Sequence, residues 1–393
     1  MPSITFDLET VTPLFLSGAN QQEAELRPPA FRGVLRYWFR AIAASLTNFE
    51  EVRKWENRIF GSTDGSGSII IRVQTKKPVS NCVLTRDNNF PGLVYLFFSM
   101  HGDGKRGARG YFPPGSKFKL VLQTRLDRDT DIQCLHLALG AMWMLINLGG
   151  IGSRSNRGAG NLKVINEPKS DYCSLNFKLS ASNIEKLASE ISAAIQRIKQ
   201  LYRDILNNGK SSFVSPTPFE ILSYQTSSAY LWQSNNLNNN DSWNLLLNEF
   251  GQKFLRFRRR YKDAIKYDYK EVKDWLKNGG KSKPTTIKRA AFGLPIQFRF
   301  TSLSGRKAYV VATGNINRIS SPLHIGVIEL SDKKVALLIV NFQTQLLPAN
   351  QSLLLKSEFE KETITVKLSL PNQEIIEKEF IPSIENLKKV GIQ

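Results

Sequence analysis

The chain has 393 residues, and 54 Lys plus Arg against 34 Asp plus Glu give a formal net charge of +20. That is too basic for an ordinary metabolic enzyme and fits a polyanionic partner, nucleic acid before membrane. A hydrophobic content of 41% excludes disorder throughout and supplies cores for two or three domains. The scattered Cys82, Cys134 and Cys173, with no C-x-x-C, exclude a disulfide framework and a cysteine zinc site.

In chain order, Met1 to Thr10 lacks the basic and apolar regions of a signal peptide. Ile4 to Leu16 alternates as a strand, and Phe31 to Leu46 reads as an amphipathic helix with Arg32, Arg36 and Arg40 stacked on one face. A short helix at Glu50 to Ile59 follows, then strands at Ser68 to Thr75, Leu93 to Met100 and Ser116 to Thr124. The uncharged run Ile132 to Ser153 is long enough to span a bilayer, but Gln133, His136, Asn147 and its closing glycines make it a buried helix instead. The loop Gly149 to Gly160 leads to a strand at Asn161 to Ile165. Strand, helix, strands, helix, strand is the split pattern of a ferredoxin-like α+β domain.

Beyond Pro168, Asn183 to Leu206 is helical and Trp243 to Lys277 is one helix or two, loaded with cations. Strands return at Ile296 to Phe300, Ala308 to Thr313, Leu323 to Leu330 and Val335 to Phe342, a second α+β domain and a candidate degenerate copy of the first. The expected division is 1–168 and 169–393, two tandem ferredoxin-like (RRM-like) domains with inserted helices.

Three segments carry the binding chemistry. In the Gly149 to Gly160 loop, Gly150, Gly152, Gly158 and Gly160 admit close backbone approach to phosphate, and Arg154 and Arg157 bring forked donors. Neither a P-loop nor a Rossmann fingerprint fits, and a plain connector in an exposed loop is the competing reading. Arg32, Arg36 and Arg40 either bind successive phosphates or pair with acids such as Glu23, Glu25 or Glu50. The block Gly251 to Ala290 holds 14 cations and four acids, with Arg256, Arg258, Arg259 and Arg260 interleaved among aromatics as in a backbone-tracking groove. A basic hairpin tip, His101 to Gly110, offers His101 or Asp103 as the only footing for a metal-independent ribonuclease. No metal site, cofactor motif or membrane anchor is expected.

Arg27-Pro-Pro-Ala-Phe-Arg-Gly-Val-Leu-Arg-Tyr-Trp-Phe-Arg40 is similar to a motif of the RAMP superfamily of CRISPR RNA-binding proteins, and within it of the first-numbered Cmr subunit of type III-B effectors. Glu56 to Ile71, Ala291 to Ile296 and Arg318 to Ile325 resemble further blocks of that family. The resemblance implies a cytoplasmic, non-catalytic subunit lying near the 3′ end of the CRISPR RNA. It would help capture complementary target RNA alongside other RAMP subunits, in antiviral defence.

Overall fold

The structure is a computed structural model and describes residues 1–75, 82–84, 86–102, 107–169, 174–206, 213, 217–260, 265–314, 316, 318–348, 350–359, 362–372 and 374–392. Strand β1 (Ser3–Thr10) buries Ile4, Phe6 and Leu8 on one face. Helix α1 (Pro28–Ala43) starts on two prolines, whose fixed φ suits a first turn, and α2 (Phe49–Phe60) starts on Asn48, whose side chain accepts from Glu51 N–H. There follow β2 (Ile69–Gln74), the short β3 (Cys82–Val83), α3 (Pro91–Leu96), β4 (Gly110–Tyr111) and β5 (Lys117–Thr124). Helix α4 (Asp129–Asn147), apolar almost all round and therefore buried, and β6 (Leu162–Val164) complete the unit. The antiparallel sheet order is β2-β5-β1-β6, the ferredoxin-like arrangement in which the third strand divides the first from the second.

The second half begins with α5 (Ile184–Ile205), capped by Asn183, and continues with β7 (Ser227–Trp232), α6 (Trp243–Arg260) and α7 (Ile265–Lys277). Then come β8 (Ile296–Phe300), β9 (Arg306–Ala312), β10 (Leu323–Glu329), β11 (Val335–Phe342), β12 (Leu353–Phe359), β13 (Glu362–Leu368) and β14 (Lys388–Val390). The sheet β10-β11-β7-β14 repeats the order of the first, which is how the second domain copies it. Two hairpins inserted on either side of β10 and β11 form a third sheet, β13-β12-β9-β8. Strands 296–300 and 306–312 therefore belong to this added sheet and not to the ferredoxin-like core.

Helix α5 joins the halves. Its Tyr202 donates to Leu137 O of α4 at 2.6 Å, and its apolar face shares one core with Leu231 and Leu338 of the second sheet. The opposite face of that sheet, Trp232, Leu337 and Ile339, packs on α6. Covered on both sides, β11 is buried at every position, which accounts for its unbroken apolar run.

Two expectations are corrected. Leu93 to Met100 is not a strand: Pro91 opens helix α3, and Asn248 Oδ1 accepts from Gly92 N–H (2.9 Å) and Leu93 N–H (3.3 Å) at its start. A helical turn lets Leu93, Leu96 and Phe97 face the α6 core together, with Gly92 and Gly251 in near backbone contact. Strand β1 ends at Thr10 rather than Leu16, because residues 11–16 turn to pair singly with Phe112 and Ser153.

Candidate nucleic-acid interface

The Gly149 to Gly160 loop is bound into the protein more tightly than an exposed connector. Gly152 has φ +92° and lies on the Phe15 carbonyl, while Gly160 has φ +67° and lies on that of Ile151, so a Cβ at either position would overlap a backbone oxygen. The N–H groups of Ile151, Ser153 and Gly160 donate to Gly160 O, Phe15 O and Pro13 O at 2.8–3.0 Å. These amides are taken by protein carbonyls; those of Arg154, Ser155 and Asn156, at the tip, have no acceptor among the described residues. Buried Asn161 then ties the loop to the second domain: it donates to Gly149 O (2.7 Å) and accepts from Val327 N–H (3.0 Å) of β10. The glycines thus serve close packing, and of Gly150, Gly152, Gly158 and Gly160 the N–H of Gly160 is taken by Pro13 O.

The loop's charge lies in Arg154 and Arg157, both half-buried. Arg154 donates to Ser99 Oγ through Nε (3.1 Å) and Nη2 (2.8 Å), and its pKa is lowered by desolvation and then by Arg318 and Arg109. Arg157 donates to Leu323 O at 3.1 Å and lies 5.2 Å over the Phe254 ring. Burial, then Arg258, brings its pKa down to about 10. Arg258 of α6 donates to the Tyr95 hydroxyl at 2.7 Å and stacks on Phe254 and Phe292. Among the described residues none of Arg109, Arg154, Arg157, Arg258 and Arg318 pairs with a carboxylate. The five arginines converge and repel one another, and Phe98, next to Ser99 in the chain, is 72% exposed.

The remaining candidates divide. Arg256 is exposed on α6, while the side chains of Arg259 and Arg260 lie outside the described residues. Arg32 is half-buried with its Nε unpartnered among the described residues. Arg36 and Arg40 do not pair with Glu23, Glu25 or Glu50; both meet buried Glu56 of α2, at 3.5 and 2.7 Å, and Arg36 also donates to Gly61 O. They clamp α1 to the end of α2. Arg40→Ala is therefore expected to lower unfolding free energy by about 2 kcal/mol in urea titration, the scale of a charge-assisted bond to a buried carboxylate.

Behind the loop, His324 of β10 stacks on Tyr37 (centroids 5.9 Å apart), accepts at Nε2 from Asn156 Nδ2 at 3.0 Å and has Glu220 at 4.0 Å. Burial, then the positive field of Arg157, pushes its pKa down to about 3, so the ring is neutral and holds the loop against α1 instead of acting as an acid. Because the folded value lies below the ordinary 6.5, the unfolded chain takes up the proton first, and stability present above pH 6.5 is lost as pH falls toward 3. Glu220, whose pKa burial raises, works in the opposite sense. Between pH 7 and 5 the difference in stability between wild type and His324→Gln should shrink by about 2 kcal/mol, measured by urea unfolding at the two pH values. His101 is half-buried, and Asp103 lies outside the described residues.

The class follows from comparison: residues 7–163 match the model of the RAMP superfamily. Similar proteins include the Cmr subunit Cmr1-2 of the Pyrococcus furiosus CRISPR system, 34% identical over 180 residues that cover 40% of this chain and 93% of that one. The Cmr1-1 subunit of the same organism is 27% identical over 354 residues, 88% of this chain and 89% of that one. The chain belongs to the Cmr1 family of the RAMP superfamily. In fold it matches a crystal structure of Pyrococcus furiosus Cmr1 in its apo form over the full length of both chains, with TM-score 0.62 and 22% identity. It also matches a chain of a type III-B Cmr-beta cryo-EM structure bound to cognate target RNA and AMPPnP with ssDNA present: TM-score 0.52, 16% identity, 87% of this chain and 95% of that one. No helix among the described residues is long and apolar enough to cross a membrane.

The sequence points to three members of the arginine cluster, Arg154, Arg157 and Arg258, but not to Arg109, Arg318 or the Ser99 and Tyr95 that orient them. Arg109 lies in the basic hairpin tip His101 to Gly110 and Arg318 opens one of the family-like blocks, but neither is singled out by its local sequence, and the fold brings both to the loop.

Proposed function

We propose that this protein is an RNA-binding, non-catalytic subunit of a type III-B CRISPR effector in the cytoplasm, assembled with other RAMP subunits. It holds CRISPR RNA near its 3′ end and helps capture complementary target RNA. The observation that carries this reading is the cluster of Arg109, Arg154, Arg157, Arg258 and Arg318 without carboxylate partners among the described residues, at the junction of the two ferredoxin-like units. Guanidinium groups of fixed orientation suit phosphate oxygens, and they position a backbone without reading bases. Exposed Phe98 beside them provides a face on which an unpaired base can stack. Family membership agrees with this partner, as does the +20 charge.

The test is incubation of the purified chain with labelled CRISPR RNA and its complementary strand in EDTA. The expected result is retention of both RNAs at intact length. Specific cleavage would instead identify a metal-independent endoribonuclease, with His101 and Asp103 as the first residues to replace.

A further inference from the structure

The added sheet β13-β12-β9-β8 has one face that the function proposed above does not use. Its inner residues, among them Phe298, Val310, Leu353 and Leu355, pack on Val272 and Trp275 of α7. Parity along the strands therefore sends Gln297, Arg299, Lys307, Tyr309, Lys356 and Lys367 to the outer face, together with the apolar pair Val311 and Leu354. Tyr309 sits on a central strand, opposite Gln297 on one side and Lys356 on the other. Arg299 and Lys307 stand directly opposite each other, an arrangement of like charges that destabilises a sheet unless an anion lies between them. None of the four cations pairs with a carboxylate among the described residues. A cleft of about 330 Å³ opens beside Tyr309, between Lys356 and the segment at Gly314 and Ile316.

We propose that this face is a second binding surface for single-stranded nucleic acid, remote in sequence from the Gly149 to Gly160 loop. One unpaired base stacks on Tyr309 and enters the cleft, and the flanking phosphates lie between Arg299 and Lys307 and beside Lys356. An aromatic ring on a central strand with cations about one residue pair away, roughly 6.6 Å along the strand, matches an extended strand laid across a sheet, where stacking gives affinity without base choice. Beside Tyr309 the face also carries the half-buried pair Val311 and Leu354, and the cations around them, without carboxylate partners among the described residues, favour a polyanion over a protein partner.

The test uses the full chain carrying Arg154→Ala and Arg318→Ala, so that the loop cluster is weakened, and fluorescein-labelled oligouridylate containing 4-thiouridine. Tyr309→Ala should weaken residual binding roughly tenfold, Tyr309→Phe should stay within about twofold of the parent, and Lys356→Ala should reduce the log–log salt slope by about 0.7. Photocrosslinks should map to β9 or β12. Binding unchanged in Tyr309→Ala and Lys356→Ala, with crosslinks confined to the loop, would overturn this surface while leaving the proposed function standing. If the wild-type chain retains no RNA, both fall.

Discussion

Gly160→Val is expected to unfold the chain, not merely to trim its affinity for RNA. At φ +67° a β-branched residue is held in a region it rarely enters, a strain on the order of 1–3 kcal/mol. The larger effect is steric: the added Cβ would overlap the carbonyl of Ile151, whose N–H is in turn hydrogen-bonded to Gly160 O at 3.0 Å. Relief requires the loop to separate from Pro13, and with it Asn161 would release its hold on β10. A destabilisation of about 4 kcal/mol or more is expected in urea unfolding, a large share of the stability of an ordinary domain. Gly33 is the internal control. It lies on α1 with nothing within 4 Å of its would-be Cβ, so Gly33→Ala should raise stability by about 0.5–1 kcal/mol.

Replacing Arg109 and Arg318 together with Glu should have the opposite signature. Both lower the proton affinity of Arg154 through their charge, so two carboxylates there would turn repulsion into attraction, and the melting temperature should rise. Binding of single-stranded RNA should nevertheless fall by roughly two orders of magnitude or more, since each charge-assisted bond to phosphate is worth about 1.5–3 kcal/mol and repulsion is added. Stability and affinity moving in opposite directions is the mark of residues kept for an anionic ligand; parallel decreases would mean that these arginines serve the fold.

How much of the fold is legible in the sequence depends on whether the signal is local. Strands Ile296–Phe300 and Val335–Phe342 can be read to the residue, because one alternates strictly and the other is a bounded apolar run. Helix α3 reads as a strand, since six apolar residues fit either geometry and its Asn248 cap lies far along the chain. Strands β7, β12, β13 and β14 are not legible: β7 and β14 take their identity from pairing, and β12 and β13 form an added hairpin outside the family's sequence blocks. The charge of the α1 face is visible, but its partner Glu56 becomes adjacent only when α2 folds back on α1. The glycine loop stands out for its backbone freedom. That freedom is used for contact with Phe15, Pro13 and Ile151, and the proposed ligand contacts rest with side chains gathered from residues 109 to 318.

The salt dependence of RNA binding tests the arginine junction most directly. Affinity for a single-stranded RNA should be measured from low to physiological salt for the wild type and for the Arg109→Ala, Arg154→Ala, Arg318→Ala triple variant, after circular dichroism has shown both folded. If the three arginines hold phosphates, the log–log slope of the variant should be shallower by about 2, at roughly 0.7 for each phosphate no longer neutralised. A folded variant whose slope and affinity equal those of the wild type would contradict the assignment of this junction as the RNA site.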